Sequence, residues 1–439
     1  MHPSDPVSDV NRRDFVKSGS LAALLAAMGG VPITGQEAAK PADGTLPVPK
    51  ADPNYKEKPV GPPVKFGVIG LGVQGREIVT QLGRLPNAPV AAVCDTYKVS
   101  LKRGGEAAPN AQRYEDYRAV LENADVQAVV VATPTHLHRD ITLAALQAGK
   151  HVYVEAPMAQ SVEDGRAMAK AAQALPAAQI FQVGLQFREN PQHHHVLKFF
   201  RTGACGKTAE AFAQFNKKQS WRRASPNAER EKALNWRLDN ATSLGLVGEI
   251  GIHPVDCASW YQDSLPVSVA GFGSTMLWDD GRQTPDTVQV LLEYPGGLRL
   301  VFSSTLASSF GGEQQVFNGS DASILIRDNR GWMFKEADAP LLGWEVYARK
   351  DDILSEMGIA LVANATKILA QGKKPAEAAS DTDSPLKYAL EKFVEHINEG
   401  TPPAAGWKQG FESLVTVVTA NEAVLKNSRI AYEPGMFRI

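Results

Sequence analysis

Three side chains in the second half of the sequence have the types and the spacing for acid-base chemistry. Glu249, His253 and Asp256 stand at i, i+4 and i+7, so one helix would carry all three on a single face. A histidine titrates near neutrality, and a carboxylate beside it fixes its tautomer and ring orientation. The trio suits removal of a hydroxyl proton, with His253 as the base and Glu249 or Asp256 orienting its ring. Upstream, Val64–Ile69 is a strand-like run followed directly by Gly70-Leu71-Gly72-Val73-Gln74-Gly75, a GxGxxG pattern. Gly70 permits the tight turn, Gly72 lets backbone approach a pyrophosphate, and Gly75 lets the next helix lie close to the strand. The helix beginning at Val73 and Gln74 would aim its amides and dipole at the anion. Asp95 ends a second apolar run and suits a ribose 2′-hydroxyl; its charge repels a 2′-phosphate, which favours NAD, while Lys98 nearby leaves NADP as the alternative.

The elements that position these groups alternate. Strands are expected over Val126–Val131, His151–Val154 and Gln179–Val183, with helices over Val73–Arg84, His136–Ala148 and Ser161–Ala174. Such alternation implies an N-terminal Rossmann domain, a doubly wound parallel sheet whose ligands lie beyond the strands' carboxyl ends. Thr133, Pro134, His138 and Glu155 fall in those end loops and are assigned to the cofactor. Further on, Thr208–Phe215, Ser268–Leu277, Thr287–Tyr294, Leu298–Leu306 and Ser323–Arg327 read as strands, with Pro295-Gly296-Gly297 as a hairpin turn. Helical periodicity returns over Phe393–Ile397 and Phe411–Leu425. An open sheet face or edge needs cover, which favours a homo-oligomer.

Composition excludes other classes. With 46 basic and 48 acidic side chains in 439 residues, no global field recruits nucleic acid or an anionic membrane. Cys94, Cys205 and Cys257 lie far apart without metal-like spacing and read as buried small residues. His193-His194-His195 does not imply a metal, because consecutive helix positions point about 100° apart. No metal is expected.

Thr133-Pro134-Thr135-His136-Leu137-His138, Gly149-Lys150-His151-Val152-Tyr153-Val154-Glu155-Ala156-Pro157-Met158 and Gly248-Glu249-Ile250-Gly251-Ile252-His253-Pro254-Val255-Asp256 together resemble the Gfo/Idh/MocA oxidoreductases, from about residue 64 to the end. The resemblance implies a tightly bound NAD or NADP cofactor and a secondary alcohol on a sugar or cyclitol as substrate. It also implies a C-terminal α+β domain with an open, mostly antiparallel sheet, and a helix packing back on the first domain. Arg188 lies where the family often has an arginine near the substrate. The family's lysine is replaced by Ala156, and its usual aspartate four residues before the histidine is Glu249. Losing a positioned acid-base group costs about 10²- to 10⁴-fold in rate, so His253 becomes the surviving base.

Two other readings follow from Ala156. One is an NAD-dependent glycoside hydrolase or lyase that oxidises a sugar carbon transiently and recycles NAD; related hydrolases also lack the lysine, but the tyrosine expected three residues before His253 is Ile250. The other is a non-catalytic NAD- and sugar-binding protein. Trp221, Arg222, Arg223, Trp236 and Arg237 precede His253, where aromatic faces could stack on sugar CH groups and arginines could bind hydroxyls or a carboxylate; Arg188, Trp236 and His253 are assigned to substrate.

At the start, Asn11-Arg12-Arg13-Asp14-Phe15-Val16-Lys17 before an uncharged stretch resembles a twin-arginine signal. It implies handling by the twin-arginine export machinery and a periplasmic or exported location, or an inner-membrane anchor if uncleaved. The expected organisation is a signal over 1–35, a linker over 36–63, the Rossmann domain over 64–185, and the substrate and oligomerisation domain over 186–439.

Overall fold

The computed structural model describes residues 53, 59–341, 345, 350–353, 355–363 and 383–439. The expected signal over 1–35 and most of the linker lie outside the described residues. Two compact units interleave along the chain. One holds Pro59–Asn190, Phe212–Glu313 and Ser384–Ile439; the other holds Pro191–Ala211 and the described part of Gln314–Asp383.

The first unit contains a six-stranded parallel sheet. In chain order it runs β1 (Phe66–Ile69), α1 (Val73–Gly83), β2 (Val90–Cys94), α2 (Lys98–Ala107), β3 (Gln112–Tyr114), α3 (Tyr117–Glu122), β4 (Ala128–Val131), α4 (His138–Gln147), β5 (His151–Val154), α5 (Val162–Gln173) and β6 (Phe181–Val183). The strand order is β3-β2-β1-β4-β5-β6, so the direction of winding reverses between β1 and β4. The loops after these two strands, Gly70–Gly75 and Ala132–Thr135, therefore meet at the switch point where such sheets bind ligands. Strand β4 is a Val-rich run buried along its whole length, as helices on both faces of a parallel sheet require.

Close backbone approach fixes the turn. Gly70 has φ +94°, and a Cβ on Gly75 would lie 1.8 Å from the Gly70 carbonyl oxygen. No side chain fits there. The expected helix over His136–Ala148 begins instead with a single 3₁₀ turn at Thr135–Leu137.

The second unit opens with α6 (Pro191–Arg201). The next strand, β7 (Thr208–Asn216), leads back into the first unit, where α7 (Ala228–Leu234), α8 (Gly245–Glu249) and α9 (Ile252–Gln262) precede β8 (Ser268–Ser274), β9 (Thr287–Glu293) and β10 (Arg299–Thr305). The last three strands pair antiparallel, and the β9–β10 turn is Pro295-Gly296-Gly297 with φ +82° and +89° at the glycines. The second unit continues with β11 (Glu313–Gly319), β12 (Ala322–Arg327), β13 (Arg330–Lys335), β14 (Lys350–Ile353) and β15 (Glu356–Leu361) in antiparallel pairs. Of these, β12 is the strand expected from the sequence.

Finally α10 (Pro385–Glu399), α11 (Trp407–Lys426) and β16 (Arg429–Ala431) return to the first unit. Leu386, Leu390 and Phe393 of α10 enter the core with Phe66 and Tyr153, whose rings lie 6.0 and 5.8 Å from that of Phe393. Helix α11 covers one face of β8, where a Cβ on Gly271 or Gly273 would lie 2.6 Å from Val424. The opposite face leaves Phe212, Phe272 and Leu291 exposed.

Cys94, Cys205 and Cys257 are all buried. Among the described residues no helix is long and apolar enough to cross a membrane, and no cluster of three or more His, Cys, Asp or Glu could hold a metal ion.

Burial holds the imidazoles of His138, His193 and His195 down at about 4, about 3 and about 4. The unfolded chain takes up these protons from pH ~6.5 downward while the folded chain refuses them, so stability is full above that pH and drains as pH falls toward 4. Each imidazole costs about 2 kcal/mol at pH 5. Urea unfolding at pH 7.5 and pH 5 checks this, with His195→Gln expected to recover about 2 kcal/mol of the loss; a loss identical to that of the parent chain contradicts it.

Candidate functional site

The dinucleotide cradle is built at the switch point. Helix α1 starts at Gly72 with no side chain capping it, so its first amides are open to an anion. Nothing lies within 4 Å of where a Gly72 Cβ would be, and the buried Thr133 Oγ1 has no hydrogen-bond partner. Open space, uncapped amides and an orphaned hydroxyl fit a bound pyrophosphate nucleotide. Val73 is exposed at the helix start, while Gln74 Nε2 donates to Glu155 Oε1 at 3.1 Å. Burial pushes the Glu155 carboxyl up to about 7 against that bond and the Ala156 amide.

Asp95 accepts from the amides of Leu71 and Tyr97 at 2.8 and 2.7 Å, one on each oxygen. The carboxylate is thereby fixed beside the glycine turn with a lone pair left on each oxygen. Lys98 lies 3.7 Å from Glu115 at the surface.

His138 does not have a ring atom to offer the cofactor. Nδ1 lies 2.9 Å from the Pro157 carbonyl and Nε2 lies 2.9 Å from the Thr133 carbonyl. Its role is to tie the β4 loop to the segment after β5.

The expected single helix for Glu249, His253 and Asp256 is also corrected. Helix α8 ends at Glu249 and α9 begins at Ile252. Gly251 sits in the break, where a Cβ would lie 2.8 Å from the Phe302 ring and 2.5 Å from the Val247 carbonyl. The three side chains consequently have separate partners. Glu249 accepts from Thr135 Oγ1 at 3.0 Å, Ser243 Oγ at 3.3 Å and the Leu244 amide at 3.2 Å. Burial raises its pKa despite Arg237 nearby and these bonds. Asp256 accepts from Arg188 Nε at 2.8 Å and from Ser413 Oγ, and is buried. Arg188 also stacks over Trp260 at 5.3 Å.

Neither carboxylate hydrogen-bonds to His253, so the expectation that one orients its ring does not hold. His253 is half-buried with its Nδ1 unpartnered, and its ring is 5.7 Å from that of Phe187. Burial lowers its pKa to about 4, against the pull of Asp256's charge. At neutral pH this is an uncharged imidazole able to accept a proton.

Trp236, assigned to sugar stacking, is buried and carries the Arg237 guanidinium over its ring at 4.3 Å. Arg237 also lies 5.9 Å from the Trp221 ring. Arg222 pairs with Glu231 and lies 3.8 Å from Asp280. Ser243 and Ser413 were not singled out in the sequence and Thr135 appeared only within a motif; isolated hydroxyls carry no pattern, and Thr135 and Ser413 gain their roles from partners 114 and 157 residues away.

Residues 64–184 match the family model described as "Oxidoreductase family, NAD-binding Rossmann fold", and residues 193–325 match the "GFO/IDH/MocA C-terminal domain". The chain is 23% identical to scyllo-inositol 2-dehydrogenase (NADP(+)) of Bacillus subtilis strain 168, across 83% of this chain and 94% of that protein. It is 32% identical over 36% of each chain to glycosyl hydrolase family 109 protein 2 of Shewanella sp. strain ANA-3. The chain spans half or less of the length of several curated relatives it matches. Among solved structures, levoglucosan dehydrogenase in complex with NADH and L-sorbose superposes with a TM-score of 0.69 at 19% identity, covering 85% of this chain and 99% of that one, a likeness of fold.

The Arg188–Asp256 pair should be the costliest polar contact to break here. Asp256→Asn removes the carboxylate charge that faces the buried Arg188 guanidinium and is expected to cost about 3–5 kcal/mol in chemical denaturation. A loss below about 1 kcal/mol would show the pair to be surface-like.

Proposed function

Because the chain belongs to the Gfo/Idh/MocA oxidoreductase family, we propose that it oxidises a secondary alcohol of a sugar, glycoside or cyclitol, with His253 taking the hydroxyl proton. The observation that carries this reading is the unpartnered imidazole of His253, uncharged at neutral pH, at the start of α9. NAD, when bound, supplies the hydride acceptor, so the carbinol becomes a carbonyl while its proton leaves separately.

This chain's own residues do the rest. The Gly70–Gly75 turn and the α1 amides hold the diphosphate, Asp95 holds a ribose hydroxyl, and Thr133 and Pro134 line the cofactor's path. Glu155, steadied by Gln74, stands where the family's lysine would follow it, and Ala156 supplies no proton relay. His253 Nδ1 is buried without an internal partner, so Nε2 is the ring nitrogen left to the substrate hydroxyl. Asp256 contributes by its charge and by anchoring Arg188 rather than by touching the imidazole, and Glu249 acts beside Arg237. NAD is the proposed cofactor because Asp95's charge disfavours a 2′-phosphate; the inositol relative's name carries NADP(+).

The second reading, redox-assisted glycoside cleavage with NAD recycled, is favoured by Ala156 and by the glycosyl hydrolase relative. A non-catalytic binding role is disfavoured by the retention of both the cradle and an uncharged base.

We further propose that the protein is exported through the twin-arginine machinery to the periplasm and that copies associate through the face bearing Phe212, Phe272 and Leu291. Cell fractionation and the solution mass of the purified chain check these two points; retention in the cytoplasm or a monomer contradicts them.

His253→Ala is expected to lower kcat at least about 100-fold with NAD affinity unchanged. In the parent chain kcat/KM should fall on the acid side near pH 4, not near 6.5, as the imidazole takes up its proton. A loss in kcat below about threefold would remove His253 from the base role.

A further inference from the structure

Among the described residues the Arg237 guanidinium has no hydrogen-bond acceptor. It is half-buried, clamped over Trp236 at 4.3 Å and beside Trp221 at 5.9 Å. Its backbone is fixed as well, because the Arg237 carbonyl accepts from Thr284 Oγ1 at 3.0 Å. The nearest acid, Glu249, has its oxygens hydrogen-bonded to Thr135, Ser243 and the Leu244 amide instead. Among the described residues no carboxylate lies within ion-pair distance of Arg237, whereas Arg188 has Asp256 at 2.8 Å and Arg282 has Asp280 at 2.7 Å.

A second cation reinforces the first. The exposed Arg223 is close enough for its charge to act on both Arg237 and Arg76, the latter in the first turn of α1. The amide of Arg223 donates to Asn235 Oδ1 at 2.7 Å and its carbonyl accepts from Asn235 Nδ2 at 3.0 Å, so the loop is pinned. Arg223 is thus a cationic neighbour shared by Arg76, at the dinucleotide turn, and Arg237, beside Glu249. Asp95 offsets Arg76 and Glu249 offsets Arg237 in part, while the shared neighbour Arg223 adds charge to both.

Desolvating a cation costs several kcal/mol unless an anion or good acceptors repay it. Hydroxyls of a neutral sugar could accept hydrogen bonds here but would leave the charge uncompensated. A carboxylate matches the planar fork bidentately and neutralises it. Stacking on Trp236 fixes the plane of the guanidinium before any ligand arrives, which lowers the entropy cost of a bidentate contact.

From this geometry we infer that the substrate is an acidic sugar, a hexuronic acid or its glycoside, whose carboxylate is bound by Arg237 with Arg223 behind it. The inference rests on the oxidoreductase reading for the chemistry but not for the binding. The carboxylate end is the handle, and the secondary alcohol presented to His253 is elsewhere on the same ring.

Calorimetric titration of the full chain with NAD present tests this, using glucuronate, glucose and glucose 6-phosphate as probes. Glucuronate is expected to bind at least about tenfold more tightly than either of the others. Arg237→Gln should weaken glucuronate by about 30-fold or more while glucose changes less than about threefold and NAD affinity is unchanged. Arg237→Lys, which keeps the charge and loses the fork, should weaken glucuronate by about tenfold, and its melting temperature reports that it is folded. Equal binding of glucuronate and glucose, tighter binding of the phosphate, or loss of NAD affinity in Arg237→Gln would each overturn the proposal. Tight glucuronate binding with no nicotinamide reduction would instead retain the carboxylate site and overturn the oxidoreductase reading.

Discussion

The buried carboxylate of Asp256 is the contact on which the site's arrangement depends. It receives Arg188 from the turn after β6 and Ser413 from α11 while standing on α9, so one group joins three segments distant in sequence. A buried ion pair contributes little net stability compared with an apolar replacement, but it specifies a single arrangement strongly, because every misplacement strands a charge. Asp256 accepts from Arg188 and Ser413 and not from His253, three residues earlier, whose imidazole burial keeps uncharged against the pull of Asp256's charge.

Charge is distributed unevenly as a result. Arg188 is neutralised within the protein, Glu249 is surrounded by neutral donors, and Arg237 is left with a nearby acid that bonds elsewhere. In a chain of formal charge −2, this local excess of cation comes from placement rather than composition. Near-zero net charge excludes polyanion partners but says nothing about a single anionic group bound in a cleft. The glycine cradle faces the same kind of requirement, since its amides also await an anion.

The parts of the molecule that sequence reveals are those where backbone geometry restricts residue type. Gly75 must be glycine because any Cβ there would meet the Gly70 carbonyl, and β4 must be apolar because both its faces are covered. The Rossmann half and the hairpin at Pro295–Gly297 were legible for such reasons. Short or polar strands such as β3, β11 and β14 were not, because pairing rather than hydrophobic pattern makes them strands. The sequence offered candidate side chains for the site, but not their partners. Spacing alone placed Glu249, His253 and Asp256 on one helix, whereas Phe302 pressing on Gly251 belongs to a break between two. Thr135 reaches Glu249 across 114 residues and Ser413 reaches Asp256 across 157, distances at which an isolated hydroxyl leaves no local signature.

The central claim is that the site carries out net oxidation of a carbinol, with Ala156 in place of a relay lysine slowing the reaction without changing its kind. The most direct test follows the near-ultraviolet absorbance of reduced nicotinamide while NAD-loaded protein is offered a panel of sugars, sugar acids and their aryl glycosides. The same samples are assayed for keto-sugar and for released aglycone. The account predicts a rise in absorbance matched mole for mole by keto-sugar, with the aglycone still attached. Release of aglycone with no net rise in absorbance would contradict it and establish cofactor-recycling cleavage instead.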